Sequence, residues 1–237
     1  MDEWETPQKI LVILAHPDDP EFFCGATIAR WTSAGHRVVY WLLTCGDKGS
    51  SNPETNPGEL CADRREEEYA AAAVLGVHDV NFLDYPDGCL VPDMEMRKVI
   101  TRLIRRERPD ILVTCDPKTL YVGDIRLNHP DHRAAGQVVL DAVFPAAGNP
   151  LYFPELLHAE GLDPHTPREV WISGTLDPNI HLDVTDLWET KLQALYEHSS
   201  QIGERAAFTG RMRSRHTPES TPEQPRYEEV FRRIFLS

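Results

Sequence analysis

The chain of 237 residues carries a formal net charge of −14, with 41% hydrophobic and 26% charged residues. These values are typical of a globular protein with one sizeable core, so we expect a single domain over residues 1–237. The acidic balance disfavours general binding to nucleic acids or anionic membranes, and a neutral or cationic small substrate fits it better.

The cysteines and the apolar runs indicate in which cellular compartment the protein is expected. Five cysteines are present and none forms a Cys-x-x-Cys pair, which disfavours a disulfide framework or a thiolate zinc site and favours a reducing compartment. Cys45 and Cys115 fall in or at the ends of strand-like runs and are expected to be small buried hydrophobic residues. No apolar run approaches about 18 residues and no basic-then-apolar leader is visible, so we expect a cytoplasmic protein without a membrane span.

In chain order, the first predicted element is a buried strand that ends in a polar cluster. Residues 10–14 are aliphatic without alternation, which is typical of a strand covered on both faces in a parallel sheet. His16, Asp18 and Asp19 follow directly. Because ligands of open α/β sheets bind beyond the carboxyl ends of strands, this cluster is a candidate site, although Asp and Pro are also common turn residues.

The remaining elements alternate up to about residue 145 and are less regular beyond it. The core, over about residues 8–145, is predicted to contain further strands at 37–44, 80–83 and 110–115 and helices at 22–35, 57–76, 93–107 and 132–144. Later elements are predicted as a long loop at 145–167, strands at 169–174 and 180–184, a helix at 185–198, a mobile loop at 209–225 and a closing helix at 227–235.

A second polar cluster, Asn128-His129-Pro130-Asp131-His132, lies beyond the strand at 110–115. A lone His-Pro-Asp sequence after a strand is commonly a turn, but two such clusters beyond two buried strands favour a functional site. Pro130 suits the first turn of the following helix. His129 and His132 then lie at or near the helix N-terminus, where their rings are able to converge.

The two clusters contain the ligands of a catalytic zinc site, which takes three His, Asp or Glu side chains and leaves one position open. His16, Asp19 and His132 supply that set if the first and fourth strands are neighbours, as in the Rossmann order 3-2-1-4. A bound metal lowers the pKa of its water from about 15.7 to about 7. Asp18 is not needed as a ligand and is free to act as the general base.

The second cluster has residues that suit the later steps of an amide hydrolysis. A protonated His129 can stabilise the oxyanion formed by attack on a carbonyl and then pass a proton to the leaving amine. Asp131, if hydrogen-bonded to His129, would hold the ring and favour its cationic form. The spacing does not identify the acyl group, and two imidazoles with one carboxylate also accept other divalent ions such as iron or cobalt.

Four segments have sequences that are typical of one protein family: Ala15-His16-Pro17-Asp18-Asp19, the helix at 64–77, Tyr85-Pro86-Asp87-Gly88, and His129-Pro130-Asp131-His132. Together they resemble the LmbE-like, or PIG-L, family of zinc-dependent N-deacetylases, and the likeness runs through most of the chain. The resemblance implies a Rossmann-like three-layer α/β/α fold with a mostly parallel sheet. It also implies acetylated amino sugars as substrates, acetate as product, and assembly as a trimer or hexamer.

The resemblance also implies a role for single residues. It implies zinc ligands at His16, Asp19 and His132, a general base at Asp18, and a catalytic imidazole at His129 with its carboxylate partner at Asp131. Arg64 matches a substrate-contacting arginine, but Arg65 is beside it and the assignment could slip by one position. Leu127 stands where some members have a tyrosine that assists the oxyanion, so this role is absent or filled from elsewhere, with Tyr121 as the candidate.

Two other functions compete with an N-deacetylase that acts on an N-acetylglucosamine conjugate. Some members of the family cleave other amides or are hydratases, so the same metal site is able to serve a different reaction. A nucleotide-binding or regulatory module is disfavoured, because Gly25 stands without Gly-x-Gly-x-x-Gly spacing and there is no Walker-type lysine loop. Buried carboxylates without a cation would also be costly in such a module.

Overall fold

The computed structural model of this chain describes residues 4–221 and 223–236. This part of the chain forms the strands β1 (Lys9–Leu14), β2 (Arg37–Thr44), β3 (Val80–Tyr85), β4 (Ile111–Cys115), β5 (Tyr121–Val122), β6 (Arg126–Leu127), β7 (Glu169–Ser173), β8 (Ile180–Asp183) and β9 (Glu228–Phe235). Its α-helices are α1 (Asp19–Ser33), α2 (Pro57–Val74), α3 (Met94–Glu107), α4 (Pro130–Asp141), α5 (Pro154–His158), α6 (Trp188–Glu197), α7 (Ser199–Ile202) and α8 (Arg205–Arg213). Within these residues, no helix combines the length and the apolar character needed to cross a bilayer.

The main sheet has the strand order expected from the sequence. Seven strands are arranged as β3-β2-β1-β4-β7-β9-β8, so β1 and β4 are neighbours. The pairs among the first five strands of this order are parallel, whereas β9 runs antiparallel to both β7 and β8. Strands β5 and β6 pair separately as a hairpin. The predicted α/β fold with a mostly parallel sheet is confirmed.

Helices cover both faces of this sheet. Ile10, Val12 and Leu14 of β1 pack into a core cluster with side chains of α1, α2 and α6. Leu11 and Ile13 point to the other face and pack with side chains of α3 and α4. All five side chains are fully buried. A strand buried on both faces needs no polar residue at alternate positions, which explains the continuous apolar run.

Several predictions for the later part of the chain are wrong. The closing helix expected at 227–235 is strand β9, because its backbone pairs with β7 on one side and β8 on the other, and such pairing overrides local preference. Helix α8 occupies the start of the mobile loop expected at 209–225, of which residue 222 lies outside the described residues. Phe208 and Met212 bury this helix against α6. Helix α5 interrupts the loop expected at 145–167.

One cysteine also differs from its prediction. Cys45, which follows β2, is joined by a disulfide to Cys61 in α2, so it is not the isolated buried residue expected from the sequence. Cys115 is free and buried, as expected. A disulfide requires two Cα atoms within about 7 Å, and these two residues come from different elements, so their spacing along the chain does not reveal the contact. The bond ties the end of β2 to the beginning of α2.

Helix α4 approaches strand β4 very closely at Gly136. A Cβ atom at this position would overlap the carbonyl oxygen of Cys115, the last residue of β4. Glycine therefore permits an approach that any other side chain would prevent. The contact holds the helix that carries His132 against the carboxyl end of the sheet.

We expect Gly136→Ala to lower the free energy of unfolding by about 1–3 kcal/mol, because the added methyl group must displace the helix or the strand. Gly210→Ala in α8 is the matched control, since nothing lies within 4 Å of a Cβ there. Alanine in a helix is more stable than glycine by about 0.5–1 kcal/mol, so the control should unfold at an equal or higher urea concentration than the wild type. Equal midpoints for the two variants would contradict the close contact.

Candidate metal centre

The two polar clusters meet in one cavity at the carboxyl ends of β1 and β4. The cavity has a volume of about 690 Å³ and its lining includes His16, Asp18, Asp19, His129 and His132. Helix α1 begins at Asp19, just beyond β1, and α4 presents His132 in its first turn. The parallel pairing of β1 with β4 thus brings together side chains that are 116 positions apart in the sequence.

Three side chains converge on one point of this cavity. His132 Nε2 lies 3.3 Å from His16 Nδ1 and 3.0 Å from Asp19 Oδ1. His16 Nδ1 lies 3.4 Å from Asp19 Oδ2. Ligand atoms bonded at about 2.0–2.1 Å to a tetrahedral zinc ion are separated from one another by about 3.3 Å, so the three spacings fit a metal ion of this kind.

The other nitrogen of each ring faces a hydrogen-bond acceptor. His132 Nδ1 lies 3.1 Å from Asn128 Oδ1. His16 Nε2 lies 3.2 Å from Asp87 Oδ1 and 3.4 Å from Asp131 Oδ2. A proton on these outer nitrogens leaves the lone pairs of the inner nitrogens for a cation, which is how histidine ligands are usually held in metal sites. The sequence around Asp87 indicates only a turn and a segment that resembles the family, so its contact with His16 is not predictable from it.

The charges at this point favour a cation. Burial alone would raise the pKa of Asp19, but His132 and His16 lower it far below its ordinary value. Burial alone would lower the pKa of His16, but the carboxylates of Asp131, Asp19 and Asp87 raise it well above the ordinary value. A metal ion held by these residues would compete with a proton on His16, so its affinity would fall as the pH falls.

Asp18 lies beside the three converging side chains in a constrained conformation. Its φ is 93°, in the left-handed region that residues other than glycine rarely adopt. Its N–H donates to Glu68 Oε2 at 2.9 Å, which holds the backbone in this conformation. Burial raises the pKa of Asp18 to about 6, although Arg64 opposes the shift. The group is thus a carboxylate at neutral pH that can still hold a proton, as a general base requires.

Arg64, rather than Arg65, faces the cavity. The buried Arg64 guanidinium donates to the carbonyl oxygens of Gly46 at 3.1 Å and Pro17 at 2.6 Å, and its Nη2 lies 3.4 Å from Asp18 Oδ2. Arg65 instead pairs with a surface carboxylate. These contacts commit Arg64 to the loops around Asp18, so substrate contact by this residue stays a prediction.

The side chains of His129 and Asp131 do not form the hydrogen bond that we expected. The Asp131 carboxylate accepts from the N–H groups of Gly88 at 2.7 Å and Leu90 at 3.2 Å and faces His16 instead. His129 Nδ1 accepts from the backbone N–H of Asp131 at 3.2 Å. Burial and the neighbouring imidazoles lower the pKa of His129. Because Nδ1 accepts this hydrogen bond, a neutral ring carries its proton on Nε2, and the lowered pKa disfavours the cationic form that we expected.

No tyrosine of the described residues lines the cavity. Leu127 does line it and offers only an apolar side chain. Tyr121 contributes instead to a shallow groove along the β5–β6 hairpin and is 58% exposed. Tyr121 is thus not placed to assist an oxyanion in this cavity, and a hydrogen-bond donor for that role must come from another residue.

A buried polar network behind Asp18 was not predicted. Glu21, Glu68 and His198 are fully buried, and His198 Nε2 lies 3.2 Å from Glu21 Oε2. Burial raises the pKa of both glutamates well above the ordinary value, and the charge of Glu21 raises the pKa of Glu68 further. The raised pKa favours the neutral form of Glu68, whose Oε2 accepts the hydrogen bond from the N–H of Asp18. The contact joins residues 177 positions apart, so no local pattern reveals it.

An open α/β sheet with two histidines and a carboxylate converging beyond β1 and β4, and a second carboxylate beside them, is the arrangement of a metal-dependent hydrolase. Comparison with known proteins agrees with this class. The family model described as GlcNAc-PI de-N-acetylase, PIG-L, matches residues 11–143.

Individual similar proteins align with most of the chain. The diacetylchitobiose deacetylase of Thermococcus kodakarensis is 42% identical over 197 residues, which cover 83% of this chain and 71% of the relative. The probable N-acetyl-alpha-D-glucosaminyl L-malate deacetylase 2 of Bacillus anthracis is 26% identical over an alignment that covers 82% of this chain and 82% of the relative. The structure of N,N'-diacetylchitobiose deacetylase from Pyrococcus horikoshii has a TM-score of 0.86 at 32% identity, covering 96% of this chain and 84% of that one.

The chain therefore belongs to the PIG-L, or LmbE-like, family. The family resemblance and the fold expected from the sequence are confirmed, and the expected class of enzyme is that of these relatives, which are deacetylases.

We expect Glu68→Ala to lower kcat by about 10–100-fold with unchanged metal content, because Asp18 loses the acceptor that holds its backbone. Glu68→Gln keeps a carbonyl acceptor and resembles the protonated carboxyl group, so it should restore most of the rate. Release of amine from N,N'-diacetylchitobiose and metal analysis of folded protein measure the two quantities. If Glu68→Ala lost metal in parallel with activity, or if Glu68→Gln failed to restore the rate, a specific support of Asp18 would be wrong.

Proposed function

We propose that this protein is a zinc-dependent N-deacetylase that removes the acetyl group from an N-acetylglucosamine-type substrate. The observation that carries the proposal is the convergence of His16, Asp19 and His132 within one cavity, with Asp18 beside them. Two imidazoles and one carboxylate suit zinc and leave a position open for water. The diacetylchitobiose deacetylases that resemble this chain support the choice of an acetylated amino sugar.

The proposed mechanism assigns the metal to His16, Asp19 and His132. When bound there, zinc acidifies a water molecule and polarises the amide carbonyl. Asp18 takes the proton of the attacking water, for which a pKa of about 6 is suitable. Asp87, Asp131 and Asn128 orient the two ligand rings from behind.

His129 and Asp18 share the remaining steps. The Nε2–H of neutral His129 donates a hydrogen bond to the developing oxyanion, since its Nδ1 is occupied by a backbone N–H. The amine nitrogen needs a proton before it leaves, and Asp18 holds the one that it took from water. Arg64 keeps Asp18 in place through both transfers, and its positive charge favours return of the carboxylate form.

Three further predictions accompany this proposal. Residues 1–237 are one domain and the protein forms a homo-oligomer. It is also expected to be cytoplasmic, although a disulfide such as Cys45–Cys61 is rare in a reducing compartment. Exposed apolar side chains on and beside the β5–β6 hairpin support the homo-oligomer, with Ile125 93% and Leu120 51% exposed. Burial of such side chains against a second copy would remove apolar surface from water.

The test combines metal analysis with release of amine from N-acetylglucosamine and N,N'-diacetylchitobiose, with and without chelator. We expect one zinc ion per chain and activity that a chelator abolishes. His132→Ala should lose metal and activity together. The loss should exceed the roughly 10–100-fold effect of removing a residue that hydrogen-bonds to a metal ligand without binding the metal itself. Asp18→Asn should keep its metal and lose about 100- to 10,000-fold in kcat.

Two results would contradict the proposal in different ways. Failure to bind metal after reconstitution would rule out the ligand assignment. Stoichiometric metal without release of amine would support the ligand assignment. It would indicate that the site hydrolyses a different amide or catalyses a hydratase reaction. Normal turnover by Asp18→Asn would show that this carboxylate is not the base.

The pH dependence follows from the raised pKa of Asp18. The base must be ionised to accept a proton, so kcat/KM should fall as the pH falls through about 6 and be independent of this group well above it. Protonation of His16 also displaces metal at low pH, so metal content must be measured at each pH. A rate that stays constant down to about pH 4.5 with metal retained would contradict the assignment.

A further inference from the structure

Three arginine side chains line the same cavity as the metal centre. Arg126 belongs to β6, Arg211 to α8, and Arg215 follows α8 by two residues. The hairpin and the segment after α7 thus bring three positive charges into one cavity. Sequence analysis missed this cluster because residues 209–225 were expected to be a mobile loop.

None of the three forms an ion pair with a carboxylate of residues 4–221 or 223–236. Arg211 has one long hydrogen bond, 3.4 Å to the carbonyl oxygen of Ile202, and its guanidinium lies over the ring of Phe208. The contrast within the same helix is informative. Arg213 points away from the cavity and pairs with Glu189 at 3.1 Å. In a chain with 38 acidic and 24 basic residues, carboxylate partners are plentiful, so the cluster is unpaired by arrangement rather than by composition.

The proximity of the three charges is unfavourable without an anion. Burial lowers the pKa of Arg215, and the charges of Arg126 and Arg211 lower it further. Like charges held together oppose one another, and the planar guanidinium group binds phosphate and carboxylate through paired hydrogen bonds. An anion among the three side chains would offset the repulsion and accept hydrogen bonds from the guanidinium groups.

We propose that Arg126, Arg211 and Arg215 bind a phosphate or carboxylate group of the substrate, which is therefore an anionic conjugate of an acetylated amino sugar. This inference rests on the proposed function for the identity of the amide. Apolar side chains of Leu127, Phe208 and Met212 also line the cavity and suit the sugar ring. The carboxylates of the metal centre repel an anion, so the substrate enters with its neutral amide toward the metal.

The test compares anionic with neutral substrates on the zinc-loaded enzyme. N-acetylglucosamine 6-phosphate supplies a phosphate, an N-acetylglucosaminyl malate supplies carboxylates, and N,N'-diacetylchitobiose is neutral. We expect kcat/KM at least about tenfold higher for one of the anionic substrates, and a KM for it that rises with salt. The anionic substrate with the higher kcat/KM identifies whether phosphate or carboxylate is the recognised group.

Single variants locate the effect. Arg211→Gln and Arg215→Gln should each raise KM for the preferred anionic substrate about tenfold with little change in kcat, a larger increase than for the neutral substrate. Arg213→Gln is the matched control, because it removes an equal charge from the same helix outside the cavity, and it should behave as the wild type.

Equilibrium binding keeps this test independent of turnover. Calorimetry with N-acetylglucosamine 6-phosphate, the malate conjugate and N-acetylglucosamine should give tighter binding of an anionic compound, lost in Arg211→Gln and kept in Arg213→Gln. That result without any release of amine would support the arginine site and overturn the deacetylase. Amine release with equal kcat/KM for neutral and anionic substrates, or equal losses in Arg211→Gln and Arg213→Gln, would overturn the arginine site alone.

Discussion

The contact on which the whole site depends is the parallel pairing of β1 with β4. Val12 lies opposite Val113, and each strand is buried on both faces, so apolar packing fixes the register of the pair. Because parallel strands end at the same edge of a sheet, His16 and His132 emerge next to each other. A slip of one residue would move side chains to the opposite face and separate the two ring nitrogens. The precision of the metal centre is therefore a property of the core.

The pairing of β1 with β4 places many charged groups in a poorly hydrated region, and the fold gives each of these groups a compensating partner. An isolated buried charge costs several kcal/mol, so each carboxylate needs a cation or hydrogen-bond donors. Asp19 has the two histidines, Asp131 has two backbone N–H groups, and Asp18 has Arg64. Since each partner also fixes an angle or a tautomer, the groups that make burial of the charges possible are the same groups that orient the site.

How much could be predicted depended on how local the information is. Strands β1, β2 and β4 carry their own apolar patterns, and the known order 3-2-1-4 was enough to bring the two clusters together. Strand β9 could not be recognised, because Val230, Phe231 and Ile234 have a spacing that also fits a helix, and only β7 and β8 on either side decide between them. The disulfide of Cys45 and the burial of His198 against Glu21 likewise join distant segments.

The proposed anionic substrate illustrates why the net charge of a chain does not by itself decide what a cavity binds. The net charge of −14 favoured a neutral or cationic ligand, but interactions between exposed charges are largely screened beyond about 8–10 Å. A ligand therefore responds to the groups that line the cavity rather than to the acidic surface elsewhere. The carboxylates that build the metal centre would by themselves repel an anionic amide. Arg126, Arg211 and Arg215 line the same cavity, and in the proposed complex their positive charges offset that repulsion, which would let the acidic centre act on a substrate of the same sign.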